Sequence, residues 1–159
     1  MRTDLAYQFG VFAQNSKAGP IVAKGDDIDP DGQIGMFAAK RDFLKDRRDV
    51  VIRFAMAYLQ AAKEFNAAAA NPDANQEIVD ILARTTALGK PELVRAIAPN
   101  WSYVNEDGIP NVKSVMAMQS YWSDYFTYVE RKVPEDQLFD LSIAKEAAAR
   151  LAKERPFGG

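Results

Sequence analysis

The sequence predicts an α/β fold that is rich in helix, with about six helices and two or three short strands. Three observations lead there. First, Val51, Phe54, Tyr58, Ala62 and Phe65 recur at steps of three and four within Asp46 to Phe65, which lines one stripe of an amphipathic helix. Second, Gln33 to Lys40 (QIGMFAAK) is a short run with few polar side chains, as expected of a strand buried on both faces. Third, Pro, Gly and Asn cut the remaining chain into pieces of helical length.

Each element has its own signals. Asp4 to Asn15 predicts a short helix with Leu5, Phe9 and Phe12 on one side, weakened by Gly10, and Gly19 is a natural stop. Ile21-Val22-Ala23 makes at most one small strand. Gly25 to Gly32 (GDDIDPDG) reads as a solvated turn, because the residue spacing of an EF-hand is absent. Asp46 is the expected cap of the central helix and Asp49 adds negative charge to its first turn. Ala67 to Ala70 prolong that helix, and Asn71-Pro72 breaks the run with Asn71 as cap. The helix Asp73–Leu88 is expected to turn Ile78, Ile81, Leu82 and Thr85 inward, and Gly89 to end it. Pro91 opens another with Leu93 and Ile97 inward. Asn100 to Asn111 is a loop, with an extended piece at Trp101–Val104. Asn111 caps a helix reaching Glu130, whose inward side carries Val112, Val115, Met118 or Gln119, Trp122, Phe126 and Val129. Ser142 caps the last helix, with Ala147, Ala148 and Leu151 on its apolar side.

Composition removes much chemistry. The chain has 159 residues, no histidine and no cysteine. Ser-His-Asp and Cys-His catalysis, Cys/His zinc sites and disulfides are therefore outside its reach. Twenty basic and twenty-two acidic residues are mixed along the chain, for a formal net charge of −2. No basic stripe invites nucleic acid, and no apolar run reaches the roughly 20 residues of a membrane span. No phosphate loop, dinucleotide fingerprint or nucleophile elbow occurs. The expectation is a protein that is not an enzyme and uses no cofactor or metal. The aromatics Tyr121, Trp122, Tyr125, Phe126 and Tyr128 are read as packing, and Trp101 as an anchor in its loop.

The order of features resembles the carboxyl-terminal half of a periplasmic solute-binding protein of ABC importers, of the nitrate/sulfonate/taurine and thiamine-pyrimidine type. AGPIVAKGDDI resembles the family's Gly and short apolar strand. GQIGMFAAKRDFLKDRRDVVIRFAMAYLQAAKEF resembles its strand, its pair like Asp42-Phe43, and its long helix, although Arg47-Arg48-Asp49-Val50-Val51 lacks the family's proline. Asn71-Pro72, GIPNVKSVMAMQSYW and VPEDQLFDLSIAKEAAARL resemble the closing segments. The similarity covers roughly Ala18 to Leu151.

The resemblance implies the carboxyl-terminal part of a type II binding-protein fold. Residues 1–40 would be a remnant of the second lobe and its returning strand, and 41–159 a helical part packing on the first lobe. It implies a small solute, anionic or like a sulfonate or pyrimidine, bound near Gln33, Gly35 and Met36 with Trp101 behind them, and a membrane permease as partner. It implies the periplasm for a full-length family protein; if Met1 is the true start, the cytoplasm is expected. Independently of any family, the run Ile34–Ala39 has few strands to pair with, which suggests that something is missing beside it. The alternative is a stand-alone helical protein that acts by association with copies of itself or with a partner subunit.

Overall fold

In the computed structural model, helices supply all the regular secondary structure of the described residues, which are 10–126 and 129–154, Asp26 without its side chain, and no β-strand forms among them. The expected α/β class is thereby corrected. The runs Ile21–Ala23, Ile34–Ala39 and Trp101–Val104 carry no strand. A strand exists only through a neighbour's backbone bonds, and none of these runs finds one. At Val104, and in the connector at Val133, a side-chain amide takes that place, while Ile34–Ala39 is left without backbone partners among the described residues. Asn66 brackets Val104, its Nδ2 donating to the carbonyl at 2.8 Å and its Oδ1 accepting from the amide at 3.1 Å. Gln119 does the same for Val133, at 2.9 and 2.8 Å. An amide side chain offers a donor and an acceptor side by side, as a strand does, so the local backbone is satisfied without a sheet.

The described residues divide into two units, with the boundary inside the longest helix, between Gln60 and Ala61. The first unit comprises the described part of Met1–Ile28 together with Ala61–Val104. It holds α1 (Gly10–Asn15), α2 (Gly25–Ile28), the end of α4 (Arg48–Ala70), α5 (Gln76–Thr85) and α6 (Pro91–Ile97). The amino-terminal half of the first expected helix, with Leu5 and Phe9, lies outside the described residues. Its end is a Schellman turn: Ala18 N–H donates to Ala13 at 2.8 Å and Lys17 N–H to Gln14 at 3.0 Å. The left-handed residue is Lys17, at φ 58°, and not the expected Gly19. Asn71 Oδ1 accepts from Ala74 N–H at 3.2 Å, and Asn75 Nδ2 closes the end of α4 on the carbonyls of Ala67 and Asn71. The core sets Val79 and Ala83 of α5 against Val94 of α6, with Leu82, Leu88 and Trp101 packed on it. Thus α5 is turned by one residue from expectation: Val79 is buried, while Ile81 and Thr85 are exposed. α6 likewise buries Val94 and Ile97, leaving Leu93 half-buried.

The second unit comprises Asp29–Gln60 and the described part of Asn105–Gly159. It contains α3 (Arg41–Asp46), the start of α4, α7 (Val112–Tyr125), α8 (Glu135–Leu138) and α9 (Ser142–Leu151). Asp46 ends α3 and so does not cap α4, which starts at Arg48. Ile52, Met56 and Leu59 of α4 are buried against Ala147 of α9, with Tyr58, Ile143 and Leu151 around them. The expected stripe through Val51 and Phe54 is displaced, and Phe54 remains 52% exposed. α7 buries Val115, but Trp122 and Phe126 are exposed. It stops at Tyr125 rather than Glu130; Thr127 and Tyr128 lie outside the described residues. Ser142 is the first residue of α9, and Asp140 Oδ1 accepts its N–H at 3.1 Å.

Two arginines tie α4 to α9. Arg48 donates to Glu146 at 2.8 Å and to Ser142 at 3.1 Å, and Arg150 donates to Asp49 at 2.7 Å. The hydrogen bond from Arg150 holds the Asp49 carboxyl below its ordinary range. A carboxyl depressed on folding stabilises above its unfolded pKa, and the gain is lost as pH falls through the folded value. Asp49→Asn is therefore expected to lower Tm at neutral pH and to reduce the fall in Tm between neutral pH and about pH 3. Equal acid slopes for the two proteins would show that this pair carries no linkage.

Candidate functional site

The expected site begins at Gln33, and the structure gives it a defined seat on α7. Gln33 N–H donates to Ser114 Oγ at 3.0 Å, and its Oε1 accepts from Asn111 N–H at 2.6 Å. Asn111 Nδ2 donates to the Asp31 carbonyl at 2.9 Å. Asn111 was expected only as a helix cap, and its side chain makes no cap bond. It joins the loop before Gln33 to the start of α7 instead. Sequence reasoning missed Asn111 and Ser114 as partners of Gln33, because about eighty residues separate them along the chain.

Beside this junction lies an open depression of about 550 Å³, lined among others by Asp29, Asp31, Asn111, Lys113, Ser114 and Tyr121. Two carboxylates against one ammonium make it a poor seat for an anion. Among the described residues, no group of three or more Asp and Glu could hold a metal ion. No helix among them is long and apolar enough to cross a membrane.

Past Gln33 the chain runs to Lys40 without a turn or bend, and every residue from Ile34 to Lys40 is exposed. Ile34 is 65% and Phe37 68% exposed. Among the described residues, no amide from Ile34 to Ala39 donates a hydrogen bond, and the Gly35 carbonyl accepts one from the Gln33 side chain. The segment is nonetheless held at three points. Gln33 is fixed on α7. Phe37 meets Phe54 and Tyr58 edge to face, with ring centroids 5.0 Å apart in both pairs. Arg41 Nη2 donates to the Gln137 carbonyl at 3.1 Å. The result is an exposed apolar ribbon, held at three points and without backbone–backbone hydrogen bonds among the described residues.

Of the four site residues expected from sequence, Gln33, Gly35 and Met36 lie on this one ribbon. Gly35 has nothing within 4 Å of where a Cβ would stand. Trp101 belongs to the other unit, stacked on Phe65 at 4.7 Å and packed on the Val79–Val94 core. Its ring serves packing. A second exposed apolar surface closes α7, where Tyr121 meets Tyr125 at 5.0 Å and Phe126 at 5.6 Å.

Compared with protein-family models, curated proteins and solved structures, the chain finds no match in any of the three.

Proposed function

We propose that this protein acts by association, as a helical chain that works joined to another polypeptide, most simply a second copy of itself, and not as an enzyme. The observation that carries this reading is the ribbon Ile34–Ala39, which is apolar, exposed, tethered at both ends, and without backbone partners among the described residues. Solvent-facing apolar surface with unpaired amides and carbonyls is the usual substrate of protein pairing. Light scattering tests it. The wild-type chain is expected at a multiple of its 17.7 kDa mass. Phe37→Asp is expected to return it to the monomer with its helical circular dichroism intact. A wild-type monomer at every attainable concentration would sink the reading.

A second reading keeps the solute-binding component of an ABC-type importer, with a permease as its partner and the periplasm as its place. The order of sequence features supports it, as does the tethering of Gln33 by Asn111 and Ser114 on the wall of an open depression. The carboxylates there favour a pyrimidine-like solute over a sulfonate or nitrate. Calorimetric titration of pyrimidines and sulfonates against the protein separates the two readings. Saturable heat lost in Gln33→Ala supports the importer component, and no heat from either class counts against it.

A further inference from the structure

We propose that the ribbon pairs with the same ribbon of a second copy, antiparallel and centred on Met36. This rests on the association reading and specifies its geometry. Three features single out that partner and that register. The first is symmetry. A closed pair of identical chains has a two-fold axis, and two antiparallel strands related by such an axis meet residue i to residue i at the centre. Centring on Met36 sets Gln33 opposite Ala39, Ile34 opposite Ala38 and Gly35 opposite Phe37, so the whole apolar run is paired.

The second is charge. Ile34 to Ala39 carries none, but an acidic turn with Asp29 and Asp31 precedes it and Lys40-Arg41 follow. Antiparallel pairing about Met36 brings the acidic turn of each copy, with Asp31, beside the Lys40 end of the other. Parallel pairing would set like against like. Centring one residue later would set Arg41 opposite Gln33 and Lys40 opposite Ile34, and break the apolar run.

The third is volume. Phe37 leans on Phe54 and Tyr58 and is still 68% exposed. The residue it would face in the other copy is Gly35, where no neighbouring atom occupies the space above the backbone. A ring over a glycine packs without displacing anything.

The natural chain has no cysteine, so single cysteines report the register directly. Met36→Cys, Ile34→Cys and Ala38→Cys are each oxidised under the same mild conditions, and the mass of each is measured before and after. Met36→Cys is expected to cross-link at least about tenfold faster than the other two, because only there do the two thiols stand opposite each other. A mixture of the Ile34 and Ala38 variants is expected to give the mixed dimer. Independently, Asp31→Lys is expected to weaken association about tenfold, as the turn of each copy then repels the basic end of the other, and Lys40→Asp in the same chain is expected to restore it. Dimers that cross-link equally well at all three positions, or with no charge-swap rescue, would overturn this geometry while leaving the association reading in place. A monomer before oxidation would overturn both.

Discussion

Met56→Ala is expected to destabilise the second unit by about 3 kcal/mol, within the 2–5 kcal/mol typical of a buried methionine truncated to alanine. Met56 is 1% exposed and sits between Ile52 and Leu59 against Ala147. Truncation removes the thioether's contacts and leaves a void that the helix pair α4–α9 closes only in part, because Arg48 and Arg150 pin the two helices. Urea unfolding followed by circular dichroism measures it. Phe54→Ala is the informative comparison. Phe54 is the larger side chain, yet it is 52% exposed, so its loss is expected to cost about 1 kcal/mol or less. If Phe54→Ala proved the more damaging, the buried stripe of α4 would be the one read from the sequence, not the one described above.

Gly108→Ala is the second large effect, expected to cost about 2–3 kcal/mol. Two penalties add. The backbone is left-handed, with φ at +70°, which costs a residue with a Cβ about 1 kcal/mol. The new Cβ would also stand 2.7 Å from Leu59 Cδ2. Leu59 is only 2% exposed and has little room to turn away, so the contact is relieved only by strain in the core. Gly89 isolates the first penalty. It has nearly the same φ, +68°, with nothing within 4 Å, and Gly89→Ala is expected to cost about 1 kcal/mol. In a Leu59→Ala background the Gly108 substitution should fall toward the Gly89 value. Unchanged additivity of the two substitutions would show that the clash is not the cause.

Local chemistry made much of the helical plan legible. Asn71-Pro72 and Pro91 mark real boundaries, because proline lacks the amide that a helix interior needs. The alanines after Phe65 do carry α4 to Ala70. Caps were read less well. Asp46, Asn111 and Ser142 are all good capping types near helix starts, but each is drawn to a different place in the fold, and Asp140 rather than Ser142 receives the first amide of α9. Of the candidate site, the segment was visible as an apolar run. Its fate was not, since nothing local to QIGMFAAK tells a buried strand from an exposed ribbon.

What the sequence determined by itself was the absence of histidine and cysteine chemistry, and the approximate extents of the longer helices; the short α2, α3 and α8 were not among the expected helices. Both follow from residue identity and backbone stereochemistry within a few positions. Only the tertiary structure decided which way each helix faces. VVIRFAMAYL is apolar on more than one side, so the choice of Ile52, Met56 and Leu59 over Val51 and Phe54 was made by α9 and not by periodicity. The tertiary structure also decided that no strand forms among the described residues. A β-ladder is a property of two segments, and here the backbone groups of Val104, Gln33 and Val133 are met by Asn66, Ser114 and Gln119 before any second segment reaches them.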